Sequence, residues 1–163
     1  MSNEQTLINI LESIPWFQQL SQDHLNLLAS FSHLVEVPQG KDLFKEGESE
    51  DFLYIVINGR VSIEIIAPGR GRISIYTAEP MDVVGWSSVT PVVRQRTASA
   101  RAVLDSRLIA MDAVFLRQLC EGDCALGCIV MRRIANVVAQ RLLMTRLQLL
   151  DLFANPGEQV THA

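Results

Sequence analysis

One short stretch of the chain combines the residue types that could hold a small anion. Gly85 has no side chain, so its backbone can approach an anion closely. The turn that follows, through Ser87 and Ser88, can offer unpaired backbone N–H groups. Eleven residues after the glycine, Arg96 supplies a planar fork of donors that is always charged, and Thr97 adds a hydroxyl. These residue types together could hold a phosphate or a carboxylate, and the alternative is a simple surface arginine.

A second constellation consists of three thiols placed four residues apart. Cys120, Cys124 and Cys128 would share a face of one helix, but Gly122 and Asp123 interrupt that helix. Three thiols at this spacing, with no histidine nearby, match no common zinc pattern. We interpret them as small buried or half-buried thiols, and a redox or cluster site is the alternative.

The sequence lacks the residue patterns of an enzyme. Its three histidines, His24, His33 and His162, fall in two separate regions and the tail, with no pair at metal-ligand spacing. The glutamates of the segment EGESE at 46–50 alternate in a turn and lack the spacing of a calcium loop. We therefore predict a protein that is not an enzyme and holds no metal.

Composition bounds the class of protein. The chain has 163 residues, of which 48% are hydrophobic and 20% charged, as expected for one globular domain. Its net charge of −4 disfavours duplex DNA as the main partner. No apolar run approaches the roughly 20 residues that span a bilayer, and the N-terminus does not resemble a signal peptide. We expect a cytoplasmic protein with no direct contact to DNA or membrane.

The elements that position the candidate site begin with two predicted helices at 4–31. Apolar residues recur at helical spacing until Pro15 ends the first helix. Ser21 is a suitable N-cap for the second helix, and Asp23 lies in its first turn.

The region 34–111 changes character, because short β-rich runs alternate with turn residues, as in a sandwich or barrel. Asn58-Gly59 is the strongest two-residue hairpin signal in it. Three hairpins are expected: 52–57 with 61–65 around Asn58-Gly59, 61–65 with 72–77 around 68–71, and 98–104 with 107–111 around Asp105-Ser106.

Two more helices are expected, one capped by Asp112 and a long one, 124–153, capped by Asp123. Seven positions of the long helix recur at spacings of three and four, close to a coiled-coil seam. They are Met131, Ile134, Val138, Leu142, Thr145, Leu149 and Leu152. Because further apolar residues lie off this seam, we expect a parallel homodimer through helix 124–153. The alternative is a helix with one face packed on its own domain.

Three segments carry a resemblance to a known family: IPWFQQLS at 14–21, LFKEGE at 43–48 and LYIVINGRV at 53–61. In this order, they resemble the cyclic-nucleotide-binding domain of the catabolite-activator and fumarate-regulator (CRP/FNR) superfamily. The resemblance implies a mainly β fold with flanking helices, a double-stranded β-helix (jelly roll) plus a long C-terminal dimerisation helix. The expected organisation is a domain at 1–153 (helices 4–31, β-roll 34–111, helices 112–153) and a tail at 154–163, without a DNA-reading winged helix.

In that superfamily, a phosphate-binding cassette holds the ligand: a strand ends in Gly-Glu, a helical turn follows, and an arginine comes ten or eleven residues later. The stretch 85–88 with Arg96 and Thr97 resembles this cassette, and Arg94 is a rival for the arginine. Trp86 replaces the glutamate that accepts a hydrogen bond from the ribose 2′-hydroxyl, and an indole accepts none. Trp86 therefore either stacks on a different anionic ligand or fills the site.

The resemblance extends to the segment LLMTR at 142–146. It places Thr145 at the threonine that contacts the base in the catabolite activator, with Arg146 beside it. The alternatives are a hydrogen bond from Thr145 to its own helix and an ion pair between Arg146 and Asp151.

Taken together, these patterns predict a regulatory domain that binds a small anionic ligand and signals through a partner protein. The ligand would be cyclic AMP, cyclic GMP or a different anion. The alternative is a dimeric interaction or scaffold subunit without a ligand. The predicted ligand-binding residues are Gly85, Trp86, Ser87, Ser88, Arg96, Thr97, Thr145 and Arg146.

Overall fold

The computed structural model describes residues 3–49, 51–90, 92–93 and 95–154. Its helices are α1 (Asn3–Ser13), α2 (Gln22–Ser30), α3 (Ala113–Gly122) and α4 (Cys124–Ala154), with 3-10 turns at Pro15–Phe17 and Trp86–Val89. Its strands are β1 (Ser32–Val37), β2 (Asp42–Phe44), β3 (Phe52–Asn58), β4 (Val61–Ala67), β5 (Gly71–Ala78), β6 (Val83–Val84), β7 (Ser99–Ala102) and β8 (Ser106–Asp112). Arg94, His162 and the tail beyond Ala154 lie outside the described residues.

The strands form two four-stranded antiparallel sheets. The first has the order β1-β8-β3-β6 and the second β2-β7-β4-β5. Except for β4 and β5, successive strands therefore lie in different sheets, which is the jelly-roll arrangement that the family resemblance implied. No helix in the described part of the chain is long and apolar enough to cross a membrane.

Two of the three predicted hairpins are wrong. β3 pairs with β6 and β8, whereas β4 pairs with β5 and β7, so the chain changes sheets at Asn58-Gly59. β7 and β8 likewise belong to different sheets. Only the β4–β5 hairpin is confirmed.

The two corners that replace those hairpins pack against each other. Gly59 has φ +89°, and a Cβ there would collide with the Asp105 carbonyl and with Ser106. The backbone N–H of Arg60 donates to Ser106 Oγ at 3.1 Å. A turn signal predicts that the chain reverses direction, but these tertiary contacts decide which strand it pairs with next.

The predicted helix caps are confirmed. Ser21 Oγ accepts the N–H of His24 at 3.3 Å, and an Asp112 carboxylate oxygen accepts the N–H groups of Val114 and Phe115. At the start of α4, Asp123 Oδ1 accepts the N–H of Leu126 at 3.0 Å. These caps fix where α2, α3 and α4 begin.

The first sheet separates two apolar clusters. The roll cluster lies between the sheets and includes Phe44, Tyr54, Val56 and Ala100. The helical cluster lies on the other face of that sheet and joins residues of β3, β6 and β8 to all four helices. A residue's cluster therefore tells on which side of the sheet its side chain lies.

The first part of α4 is buried against the domain, and its second part is exposed. Leu126, Val130 and Ile134 are buried in the helical cluster. Farther along, large apolar side chains are exposed: Leu142, Leu143, Leu147, Leu149, Leu150 and Phe153. The predicted seam is thus split, because Ile134 packs on its own domain while Leu142 and Leu149 face solvent; the side chain of Leu152 lies outside the described residues.

An ion network covers the outer face of the second sheet. Asp42 accepts from Arg101 Nε at 2.8 Å and from Arg72 Nη1 at 3.1 Å, and Arg72 also reaches Glu64 at 3.3 Å. The hydrogen bonds from Arg72 and then Arg101 lower the pKa of Asp42 to about 2. The network ties β2, β4, β5 and β7 together.

Candidate ligand-binding cassette

The backbone of the candidate site is a strand end, one left-handed residue and a short turn. β6 ends at Val84, Gly85 has φ 76° and ψ 31°, and the 3-10 turn Trp86–Val89 follows; we call 85–89 the cassette turn. A Cβ on Gly85 would collide with Arg96 Nη1 and lie 3.2 Å from the Phe52 carbonyl oxygen. Glycine is needed here both for the backbone angle and for the close approach of the guanidinium.

Arg96 is inside the molecule rather than on its surface, since only 4% of the residue is exposed. Nη2 donates to the Phe52 carbonyl oxygen at 2.6 Å, and Nη1 donates weakly to that of Gly85 at 3.4 Å. The guanidinium carbon lies 4.1 Å from the Phe44 ring centroid and 5.8 Å from that of Tyr54. Arg96 therefore presents a buried positive charge to the roll side of the sheet.

The tyrosine beside this arginine responds to the same environment. Burial raises the pKa of Tyr54, and the nearby charge of Arg96 partly opposes that rise. The phenol stays neutral at physiological pH and supplies an aromatic wall next to the guanidinium.

The hydroxyl residues of the cassette occupy different environments. Ser88 is 1% exposed, and its Oγ has no hydrogen-bond partner among the described residues. Its carbonyl oxygen accepts from Arg117 of α3. Ser87 is buried, and its carbonyl oxygen accepts from the N–H and hydroxyl of Thr90, whereas Thr97 is exposed.

Trp86 is half-buried and packs against the helical cluster. Arg96 instead contacts aromatic residues of the roll cluster. The two side chains thus lie in different packing clusters, and the indole joins the cassette turn to the helices.

The remaining predicted residues, Thr145 and Arg146, are exposed on α4. Thr145 Oγ1 donates to the Arg141 carbonyl oxygen at 2.9 Å, which is the hydrogen bond within the helix that the sequence left open. Within the described part of the chain, no ion pair joins Arg146 to Asp151, and no hydrogen bond joins Thr145 or Arg146 to the cassette turn.

The sequence reasoning missed Arg141. Its guanidinium carbon lies 3.0 Å from the centroid of the Tyr76 ring in β5. Tyr76 Oη donates to Asp82 at 2.6 Å, and Gln148 Nε2 of α4 donates to the Ile75 carbonyl oxygen at 3.1 Å. The spacing of Arg141, Thr145 and Gln148, four and three residues, is the signal that could have revealed a polar stripe on α4.

The prediction of buried or half-buried thiols is right for Cys120 and wrong for Cys124 and Cys128, which are exposed. Burial, followed by the charges of Asp123 and Glu121, raises the pKa of Cys120 to about 11. No cluster of three or more potential metal ligands occurs among the described residues.

The comparisons with known proteins agree with this geometry. The family model for the cyclic nucleotide-binding domain matches residues 34–123, which include the cassette turn and Arg96. A CRP-like cAMP-activated global transcriptional regulator from Mycobacterium tuberculosis is 32% identical over 137 residues. That alignment covers 83% of this chain and 58% of the relative. The chain thus spans a little over half the length of that relative.

A second relative and one solved structure each align with a larger share of this chain. The cyclic AMP receptor protein of Thermus thermophilus is 26% identical over 171 residues, covering 93% of this chain and 77% of the relative. The crystal structure of a cyclic nucleotide-binding protein from Geobacter metallireducens is 26% identical and superimposes with a TM-score of 0.72. It covers 87% of this chain and 99% of its own. The family model and the sequence identity to these relatives show that the chain belongs to the cyclic nucleotide-binding domain family.

Proposed function

We propose that this domain senses a small anionic ligand, a cyclic nucleotide or a different anion, and signals to a partner protein. The single observation that carries the proposal is the guanidinium of Arg96, which is buried directly against Gly85. The binding residues would be the cassette turn, Arg96 and Thr97. A cytoplasmic location belongs to the same proposal.

An anion could compete for the guanidinium of Arg96. Two of its hydrogen-bond acceptors, the Phe52 and Gly85 carbonyl oxygens, are neutral groups, and it also lies over the rings of Phe44 and Tyr54. A phosphate carries a full negative charge and can accept two parallel hydrogen bonds from a guanidinium, whereas a single carbonyl oxygen has no net charge. A phosphate could therefore take over guanidinium donors while the arginine stays in the roll.

Contacts between side chains connect the cassette turn to α3 and α4. Arg117 of α3 donates to the Ser88 carbonyl oxygen, and Trp86 packs into the cluster that holds Leu126 and Val130 of α4. A ligand that shifts the cassette turn would move groups in contact with both helices. We infer that α4 carries the signal out of the domain.

The exposed end of α4 supports a homodimer. Leu143, Leu147 and Leu150 are each more than half exposed, and such a stripe on a helix is stabilised when a second surface covers it. A second copy of this chain would supply an identical stripe across a two-fold axis. We propose further that a partner protein binds this dimer and receives the signal.

The alternative, a scaffold subunit without a ligand, is favoured by one observation. Arg96 already donates to two carbonyl oxygens inside the domain and is almost fully covered. In that case the arginine would be a structural clamp between β3 and the cassette turn.

A thermal-shift and calorimetric titration with cyclic AMP, cyclic GMP and small phosphate and carboxylate anions tests the proposal. A ligand at 100 times its Kd stabilises the folded state by about 2.7 kcal/mol. We expect this stabilisation in the wild type and in Arg70→Met, an exposed arginine, and its loss in Arg96→Met. Thr97→Val, at an exposed position, is expected to weaken binding without affecting folding.

Two results would favour the alternative or refute the site. Absence of any stabilising anion would leave the scaffold function, and full ligand stabilisation of Arg96→Met would exclude Arg96 from the site. Native mass spectrometry of the purified chain adds the oligomeric state and the mass of any carried ligand.

A further inference from the structure

The exposed face of α4 begins with two cysteines. Cys124 and Cys128 lie in the first two turns of the helix, and both are exposed. Leu126 and Val130, each two residues from Cys128, are buried against the domain. Residues two apart point about 200° apart around a helix, so Cys128 faces away from its own domain. These two thiols are therefore the ones that a second molecule can reach.

Cys128 also belongs to a row of exposed residues that repeats every seven positions along α4. A strict seven-residue repeat stays in contact with a neighbouring helix along its length. The row ends in two leucines, of which Leu142 is 52% and Leu149 48% exposed. Its members are Cys128, Ala135, Leu142 and Leu149. The exposed Ala135 thus takes the place in the seam that the sequence had assigned to its buried neighbour, Ile134.

This row adjoins the exposed leucine stripe of the proposed homodimer. Two members of the stripe, Leu143 and Leu150, each directly follow a leucine of the row. A second copy that covers the stripe therefore also covers the row. In two parallel helices related by a two-fold axis, each residue of such a row lies opposite the same residue of the other copy. Cys128 then lies opposite Cys128 of the second copy.

The separation of two packed helices suits a disulfide. Their axes are about 8–10 Å apart, and each Cα lies about 2.3 Å from its own axis. Cα atoms that point directly at each other are therefore about 3–5 Å apart, and those turned slightly aside are farther apart. A disulfide needs about 4.4–6.8 Å between Cα atoms. The small side chains of Cys128 and Ala135 permit this close approach and leave the thiol within reach of a small oxidant.

We propose that Cys128 is a redox-sensitive cross-linking site, at which a peroxide joins two copies of this chain through a disulfide. The inference rests on the homodimer of the proposed function and adds a covalent form of it. Arg132, one turn farther along, holds the sulfur on the exposed side of α4, because its Nη2 donates to Cys128 Sγ at 3.5 Å. Disulfides in the cytoplasm are usually transient and serve redox sensing. The cross-link would hold α4 in its dimeric arrangement whether or not the cassette is occupied.

The reaction balances with one molecule of hydrogen peroxide. The thiolate of Cys128 attacks a peroxide oxygen, so that an S–O bond forms, the O–O bond breaks and hydroxide leaves. The thiolate of Cys128 of the second copy then attacks this sulfenic sulfur, an S–S bond forms, the S–O bond breaks and a second hydroxide leaves. The two hydroxides take up the two thiol protons. Two thiols are thereby oxidised to one disulfide, and the peroxide is reduced to two molecules of water.

Peroxide treatment of the purified full-length chain, followed by non-reducing electrophoresis and intact mass spectrometry, tests the site. We expect the wild type to form a species with the mass of two chains less two hydrogens, which dithiothreitol returns to single chains. Cys128→Ser should abolish this species, whereas Cys124→Ser and Cys120→Ser should retain it. Under reducing conditions, Cys128→Ser should sediment as the wild type does, because an exposed serine leaves the fold and the noncovalent dimer intact.

A rate measurement separates a built site from chance collision. Within a dimer the facing thiol has an effective concentration of about 1 mM, against about 10 µM for free chains, so the sulfenic acid of Leu147→Glu should convert to the cross-link about a hundredfold more slowly. Dimedone trapping of the sulfenic acid follows this step. Equal rates in the two proteins, or a cross-link that persists in Cys128→Ser, would overturn the role of Cys128. A wild-type dimer that peroxide does not cross-link would overturn the site and leave the homodimer standing, whereas a wild-type monomer that does not cross-link would refute both.

Discussion

Replacing Gly85 by alanine tests whether the cassette is organised around the arginine. Gly85 has φ +76°, and a Cβ there would collide with Arg96 Nη1. Two costs therefore add, since alanine is strained at this backbone angle and the guanidinium must move away from its carbonyl acceptors. Gly40 provides the matched control, because its φ is +80° and a Cβ there would meet nothing within 4 Å.

The magnitudes of these two costs can be separated. An L residue in the left-handed region costs about 1–2 kcal/mol, and this is the whole effect expected for Gly40→Ala. A lost hydrogen bond from a charged group costs about 1.5–3 kcal/mol. Gly85→Ala should therefore lower the free energy of unfolding by about 3–5 kcal/mol. In a domain of this size, that loss corresponds to a Tm lowered by about 6–20 °C.

Urea unfolding followed by circular dichroism measures both variants, and a double-mutant cycle with Arg96→Met isolates the contact. We expect the double variant, Gly85→Ala with Arg96→Met, to lose clearly less stability than the sum of the single changes. Equal losses in Gly85→Ala and Gly40→Ala, or additive losses in the cycle, would refute the close packing of this glycine and arginine.

Three further predictions concern other parts of the molecule. Asp42→Asn should cost about 1 kcal/mol at pH 7, less than the pKa shift alone implies because both arginine partners are more than a third exposed. Because its folded pKa lies below the unfolded value, that stability is present above about pH 4 and vanishes towards pH 2, so urea unfolding of wild type and variant should converge there. Iodoacetamide at pH 8 should label Cys124 and Cys128 rapidly and Cys120 slowly, and equal rates measured by mass spectrometry would contradict its burial. The proposed homodimer predicts that the wild type sediments as a dimer and Leu147→Glu as a monomer in sedimentation velocity, with no loss of Tm, since Leu147 is 52% exposed within one chain.

Local sequence signals predicted the features that depend on neighbouring residues. The caps at Ser21, Asp112 and Asp123 were predicted because a short polar side chain bonds to N–H groups within its own turn. The β4–β5 hairpin was predicted for the same reason, since few residues separate its two strands. The assignment of strands to sheets was not predicted correctly, because Asn58-Gly59 reverses the chain equally well within a sheet or between two sheets.

In the candidate site, too, contacts between distant segments could not be predicted from the sequence. The resemblance of this stretch to the family's cassette implied that Gly85 and Arg96 belong to one site, and the structure brings the two residues into contact. The resemblance left the position of Trp86 open, because only the packing of the cassette turn decides that its indole joins the helical cluster. Arg141 was missed because its partner, Tyr76, is 65 residues earlier in the chain and meets it only when α4 lies along β5.

By itself, the sequence determined a series of short strands flanked by helices, the helix caps and a long final helix. Those features rest on hydrophobic periodicity, capping and turn signals, which are local properties of the chain. The jelly roll and the glycine–arginine cassette followed from the resemblance of this sequence to the CRP/FNR superfamily. The tertiary structure decided which strands share a sheet, which side of the sheet Trp86 occupies and which residue of α4 faces the roll. These depend on contacts between distant segments, and such contacts form only when the two sheets and α4 pack together.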